Sequence, residues 1–461
     1  MALDRMNVYH NNTYTSHTTA PASRNTVHFF DIRPGEGYRL NVTAALLFLL
    51  IAANILIKIL RDSIFLGEHS VSELPYLYIS VALIAGIIIA TYTKYTANLT
   101  IIRLILATNA VILSNIIFFW FLLTYYDPGW SHYAFYIWSA IATVIAVAQL
   151  WTLINEIFSP DEGQRLFGLL AAGGTLGGVA AGFGAKWTIH LSVESNHLLW
   201  VVGAIYLTAF LLLLMAQRRL SETCPEKAAV SLNEIEPKTD DNVFARLADS
   251  RYLKTIAAVI ILSVIVSTLI DFQLKTAAKA LYPSKSTLAV FFSSYYGWLS
   301  VATFFTQVLL TGKTLSTLGL YPSLYLTPGV LLIGTSAIMI WPGLLVAALT
   351  RMADAALRNS IHRSSMEIIY MAVPADIKKS IKTFLDVVLE RAGDASAGLI
   401  ILLFVLFSAE RYITYAHFIC MGLIFSWLTL VRFLHASYSQ ALCTGVVSDE
   451  ASPRRSCQEN D

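Results

Sequence analysis

An all-α membrane protein, with twelve transmembrane helices in two pseudo-symmetric six-helix bundles, is the architecture this sequence calls for. Composition is the first reason. Of 461 residues, 56% are hydrophobic and 13% charged, against about 25% charged in a soluble globular chain. The second reason is a series of twelve apolar stretches, each near the roughly 20 residues a helix needs to cross a bilayer. The third is a polar segment, residues 217–251, that divides the series into six and six.

The same observations narrow the function. A water-soluble enzyme of this size needs a far more charged surface. A net charge of +2 offers no footing for a nucleic-acid partner. There is no G-x-S-x-G, H-E-x-x-H or Walker A motif, so no enzyme and no cofactor are expected. The four cysteines form no C-x-x-C, so neither a disulfide framework nor a metal site is expected.

Residues 1–40 are rich in Asn, Thr, Ser and His and are expected to be a polar tail without a cleaved signal peptide. The first bundle takes residues 41–216, with spans near 42–60, 74–93, 102–124, 133–156, 166–188 and 197–216. Residues 217–251 form a linker. The second bundle takes 252–434, with spans near 253–274, 288–311, 321–341, 343–372, 380–407 and 411–434, and 435–461 is a second polar tail. Lys and Arg fall mostly on one side of this arrangement, as with Arg39, Lys94, Arg165, Arg218 and Lys379. By the positive-inside rule both termini and the linker are cytoplasmic.

The halves echo each other. Asn155-Glu156-Ile157 ends span four and Met366-Glu367-Ile368 ends span ten, with the glutamates 211 residues apart. The same offset brings Asp62 close to Asp271 and Arg165 close to Lys378.

Charges inside spans are expensive and face a partner or a wet cavity. Span one ends in Lys58, Arg61 and Asp62, and Lys58 and Asp62 have the i,i+4 spacing of a pair. Asp271 and Lys275 repeat that spacing in span seven. Span ten carries Arg351, Asp354, Arg358 and His362, which share about 80° of arc at 100° per residue. Arg363 and Glu367 lie off this stripe, as inter-helix or gating contacts. Span eleven stacks Asp386, Glu390 and Asp394 with Arg391 beside them. Carboxylates that close need cations or protons, and Arg358 and Arg391 are candidate partners. Gly173, Gly174, Gly177, Gly178, Gly182 and Gly184 give span five the small-residue spacing of close helix packing.

Two linked six-helix bundles resemble the plan of the major facilitator superfamily, which places a substrate site between the halves near mid-membrane. Three stretches resemble its ATP/ADP translocase relatives, in their broad bacterial branch. They are Leu56-Ile57-Lys58-Ile59-Leu60-Arg61-Asp62, then Asn155-Glu156-Ile157-Phe158 with Gln164-Arg165-Leu166-Phe167-Gly168-Leu169, and Phe384-Leu385-Asp386-Val387-Val388 through Gly393-Asp394. The likeness runs over most of residues 40–434. It implies a twelve-helix carrier in a bacterial inner membrane, with Lys58, Arg61, Glu156, Arg358 and Glu367 on the translocation path.

The expected function is secondary transport, by alternating access, of an anionic and phosphorylated solute, with nucleotide favoured and antiport the implied mode. Lys58, Arg61, Lys275, Arg351 and Arg358 are the expected substrate-binding cations. Asp62, Glu156, Asp271, Asp354, His362, Glu367, Asp386, Glu390, Arg391 and Asp394 are the expected coupling or gating residues; the span-eleven carboxylates either carry a coupled proton or form a static charge network, and both readings stay open. Two rivals stay open: a flippase for an anionic lipid or cell-wall fragment, and a sensor or assembly factor that does not transport.

Overall fold

The computed structural model describes residues 33, 35–96, 100–191, 195–223, 250–370, 381–382, 384–407 and 412–443. The described chain is almost entirely helical. Six long helices come first: α1 (Gly37–Glu68), α2 (Leu74–Thr96), α3 (Ile101–Phe121), α4 (Trp130–Ile157), α5 (Pro160–His190) and α6 (Leu198–Thr223). The later ones are α7 (Arg251–Leu281), α8 (Lys285–Phe305), α9 (Thr311–Leu318), α10 (Leu320–Ile340), α11 (Leu344–Leu357), α12 (Arg363–Tyr370), α13 (Glu390–Phe407) and α14 (Tyr412–Cys443).

Local chemistry sets the helix starts. Ser159 and Glu162 form a reciprocal capping box with Pro160 in the first turn of α5, which satisfies orphan N–H groups at the helix entry. Ser250 and Ser284 cap α7 and α8 through their hydroxyls. Gly319, at φ 80°, makes the break between α9 and α10, a left-handed conformation that glycine takes without strain.

Ten segments among the described residues are long and apolar enough to cross a membrane. They correspond to expected spans one to nine and twelve. The stretches expected over 343–372 and 380–407 depart from single apolar helices. π-helical turns at Arg358–His362 and Phe384–Leu389 interrupt them. Arg351, Asp354, Arg358, Arg363 and Glu367 also thin the apolar content of the first stretch. A π turn carries an extra residue and re-aims the side chains beyond it. α6 runs to Thr223, into the expected linker; residues 224–249 lie outside the described residues, as does Lys378.

α1 packs on α4, α5 and α6, and α3 on α4 and α6. α7 packs on α11, α13 and α14, and α10 on α11 and α14. The two sets meet along α5–α8, α1–α8 and α2–α13. Glycines permit the first meeting. A Cβ on Gly182 would lie 2.5 Å from the Gly297 backbone, and one on Gly178 would lie 2.5 Å from Ser300 Oγ. With no hydrophobic force between helices in lipid, such close backbone approach supplies the packing that holds them.

Candidate functional site

Where α1, α7, α8 and α11 converge, the charged side chains form one alternating ladder. Asp62, fully buried, accepts from Arg61 Nε at 3.0 Å and from the Tyr296 hydroxyl at 2.7 Å, and lies 3.4 Å from Lys275 Nζ. Lys275 pairs with Asp271 at 2.8 Å and donates to the Tyr136 hydroxyl at 3.2 Å. Asp271 also accepts from Arg351 Nε at 3.1 Å and from the Tyr78 hydroxyl at 3.3 Å. Arg351 reaches Asp354 at 2.6 Å, and Asp354 in turn takes Arg358 at 3.2 Å and the Ser267 hydroxyl at 2.5 Å. Each carboxylate thus sits between cations, the arrangement that makes burial of so many charges tolerable. Arg61 also stacks over Tyr136, 4.6 Å from its ring centre.

The ladder borders two adjoining cavities. The smaller, about 410 Å³, is lined by Lys58, Arg61, Lys275, Arg351, Arg358 and Arg391, against three carboxylates, Asp271, Glu390 and Asp394. Its wall is positive because Asp62 and Asp354 lie fully buried behind it. The larger, about 710 Å³, is mostly apolar, with Trp151, Phe167, Asn54, Arg363 and Glu367 in its wall. Lys58, Tyr296, Leu299 and Asn359 line both.

Lys58 differs from the other cations. Among the described residues it makes no ion pair or hydrogen bond, and it does not reach Asp62 despite the i,i+4 spacing. The Asp62 carboxylate is occupied by Arg61, Lys275 and Tyr296 instead. Asp271 and Lys275, with the same spacing, do pair.

The remaining expected site residues spread further. Arg358 bonds Asp354 and the hydroxyl and carbonyl of Ser263, at 3.2 and 2.5 Å, and pairs with none of the span-eleven carboxylates. Arg391 pairs with Asp394 at 3.1 Å and approaches Glu390 at 3.9 Å. Asp394 also accepts from Thr268 at 2.9 Å, and Asp386 from the Tyr370 hydroxyl at 2.9 Å. The three carboxylates therefore do not share one set of partners, although Asp386 and Glu390 border the same cavity. His362 and Asp386 line a third cavity of about 230 Å³, in which Arg358, Glu367 and Glu390 also take part. His362 packs edge-on against Trp427, 5.6 Å away. Glu367 holds Lys382 at 2.6 Å. Both carboxylate oxygens of Glu156 are shielded from water and have no hydrogen-bond partner among the described residues.

Residues that were assigned no role from the sequence complete the site. Tyr78, Tyr136 and Tyr296 supply the phenolic hydroxyls of the ladder, although tyrosines within spans read as ordinary packing. Trp151 and Phe167 face each other edge-on with ring centres 6.0 Å apart. Asn54 lies one turn before Lys58 on α1.

Outside the membrane spans, Arg39 pairs with Glu162 at 2.8 Å and Arg165 with Glu36 at 2.7 Å. The Ser159 backbone N–H, then Arg39, holds the Glu162 carboxyl below its usual range. The Arg33 backbone N–H, then Arg165, does the same for Glu36.

Solved transporter structures share this fold. The nucleoside transporter NupG superposes with a TM-score of 0.59 at 13% identity, over 88% of this chain and 99% of that one. A D-xylose–proton symporter gives 0.58 at 13%, over 85% and 96%. In sequence, the chain is 25% identical to ADP,ATP carrier protein 4 of Rickettsia typhi over 373 residues, covering 70% of each chain. It is 22% identical to ADP,ATP carrier protein 1 of Chlamydia muridarum over the same length and shares. The family model described as TLC ATP/ADP transporter matches residues 106–346, more than half of the chain, and the chain therefore belongs to the TLC ATP/ADP transporter family.

Proposed function

We propose that this protein carries nucleotides across a membrane by alternating access, with the phosphates bound at the positive wall of the smaller cavity and the rest of the molecule in the larger one. The observation that carries this reading is Lys58: a partnerless cation at the junction of the two cavities, on the smaller cavity's wall, where the other cations are already paired. An unpaired, half-buried ammonium is unfavourable unless a counter-charge arrives, and a phosphate supplies one. Arg358 adds a planar fork suited to bidentate phosphate contact. The names of the Rickettsia and Chlamydia relatives support adenine nucleotides as the cargo and exchange as the mode.

The Lys and Arg distribution supports twelve spans in two six-helix halves, 41–216 and 252–434, in a cell inner membrane with both termini and the 217–251 linker in the cytoplasm.

Purified protein in liposomes is expected to take up labelled ATP against internal ADP. Lys58→Ala should raise KM about tenfold to a hundredfold while thermal unfolding stays unchanged. Arg358→Lys should weaken binding by a smaller factor, since charge is kept and the fork is lost. Normal affinity in both variants would remove the anion site from these residues. Single cysteines at positions 130 and 230, probed in cells with an impermeant thiol reagent, should label only at 130. Labelling at 230 from outside overturns the topology.

A further inference from the structure

We infer that Asn54 is a specificity-determining residue whose side-chain amide, with the rings of Trp151 and Phe167, reads the base of the transported nucleotide. The inference rests on the nucleotide reading above and adds to it the atoms that would choose among bases.

Asn54 is 6% exposed, and its Oδ1 is shielded from water without a hydrogen-bond partner. Among the described residues neither end of its amide is bonded to protein. Leaving a buried amide unpaired is unfavourable; its Oδ1 is closed to the cavity as it is to water, and a turn of the amide toward the cavity that Asn54 lines brings it to a group that something entering carries with it. Asn54 lines the larger cavity, whose wall beside it is apolar: Leu47, Ile51, Ile55 and Val147, with Gly174 leaving room on α5. Trp151 and Phe167 stand in the same wall. An aromatic pair, an apolar lining and one free amide make the recognition set of a flat heteroaromatic ring, because stacking is tolerant of the ring and the amide is selective.

The register of α1 ties this subsite to the phosphate wall. At 100° per residue, Asn54, Lys58 and Arg61 lie within about 60° of arc. Along the axis Lys58 is about 6 Å and Arg61 about 10 Å beyond Asn54. A base at Asn54 therefore directs its phosphates along the same helix face to Lys58 and then into the positive cavity.

The amide offers one acceptor beside one donor. That pair matches the exocyclic amine and N7 of adenine bidentately, whereas guanine presents two acceptors on the same edge. The subsite accordingly favours a 6-aminopurine over a 6-oxopurine.

The test is competition against labelled ATP uptake in liposomes by unlabelled ATP, GTP, CTP, UTP and tripolyphosphate. The wild-type protein should be inhibited about tenfold more strongly by ATP than by GTP. Asn54→Leu, a residue suited to an apolar helix, should bring that ratio to within about twofold, chiefly by weakening ATP. Asn54→Thr, a second replacement lacking the amide, should do the same. Trp151→Leu should weaken every nucleotide, with Trp151→Phe restoring most of the loss and tripolyphosphate inhibition unmoved. Equal inhibition by all four nucleotides in the wild type, or an unchanged ATP-to-GTP ratio in both Asn54 variants, overturns the inference while nucleotide transport stands. Uptake of some other phosphorylated solute with no inhibition by any nucleotide removes the nucleotide reading, and this inference with it.

Discussion

Lys58 and Lys275 face the same cavity from two helices, yet their surroundings are opposite. Lys275 is 2% exposed and held by two carboxylates and a tyrosine hydroxyl. Lys58 is half-buried and held by nothing in the described protein. The difference lies in what the neighbouring helices bring to each ammonium. α1 delivers Asp62 to Lys275, and Asp271 reaches it from one turn earlier on α7. Asp62 and Asp271 are close enough to be felt by Lys58, but no described helix brings an acid within ion-pairing distance of it. A paired buried lysine ties helices together, whereas on the proposed function an unpaired one on a cavity wall receives a mobile anion. In that proposal the two regions are a seal and a receptor.

The sharpest way to break this contrast is to remove the acid that makes the seal. Asp62→Ala leaves Arg61 without its carboxylate and Lys275 with only Asp271. Removing one partner from a buried ion pair typically costs about 3–5 kcal/mol. The expected outcome is a large fall in unfolding temperature in detergent, unlike Lys58→Ala, which should alter transport alone. Combining Asp62→Asn with Lys275→Gln should cost less than the sum of the two, because the stranded charge is gone. Equal stability in Asp62→Ala and Lys58→Ala would erase the distinction between the two regions.

A smaller effect sharpens the comparison from the packing side. The seal is backed by α5 and α8, where a Cβ on Gly182 would lie 2.5 Å from Gly297 Cα and 3.0 Å from the Ser293 carbonyl oxygen. Backbone atoms cannot swing aside as a side-chain tip can. Gly182→Ala should therefore push the two helices apart, at the cost of about 1–3 kcal/mol typical of overpacking. Gly184 has open space around it, so Gly184→Ala is the matched control and should leave stability and transport unchanged. Similar losses in both variants would mean that the seam is not where the two helix sets are held.

Hydropathy made most of this architecture readable, because a helix crossing lipid must be apolar along its whole length. That rule located the spans from α1 to α10 and the one in α14. It faltered over 343–372 and 380–407, where charges and π turns accumulate beside the cavities. Charge spacing located the ladder but not its pairing. Lys58 and Asp62 have the right spacing, yet Asp62 turns to Lys275 and Tyr296 on helices more than 200 residues away in sequence. Arg358 does take the i,i+4 partner Asp354, but it adds Ser263 from α7 and leaves the span-eleven acids to other partners. Partner choice is tertiary, and helical spacing alone does not encode it. Asn54, Trp151 and Phe167 were silent for another reason: an uncharged residue in an apolar helix leaves almost no mark on composition. The Asn54–Lys58–Arg61 register was nevertheless present in the sequence.

The smallest expected effect concerns the charges outside the membrane, which test whether ion pairs hold this protein wherever they occur. Glu36 with Arg165 and Glu162 with Arg39 join the start of α1 to the start of α5. Both carboxyls are held below the ordinary value of 4.5, by the Arg33 and Ser159 backbone N–H groups first and by the arginines second. A carboxyl with a depressed folded-state pKa stabilises the fold above its unfolded pKa, and that contribution disappears as pH falls through the depressed value. Unfolding temperature should then be level from neutral pH to about 5 and decline below about 4.5. Salt should reduce the contribution at every pH, because pairs at the water interface are screened and weak. Glu162→Gln should flatten part of the acid decline while leaving Asp62→Ala as damaging as before. An acid limb identical in Glu162→Gln and wild type would assign that decline to other carboxylates and leave the seal around Asp62 as the place where ion pairing carries stability.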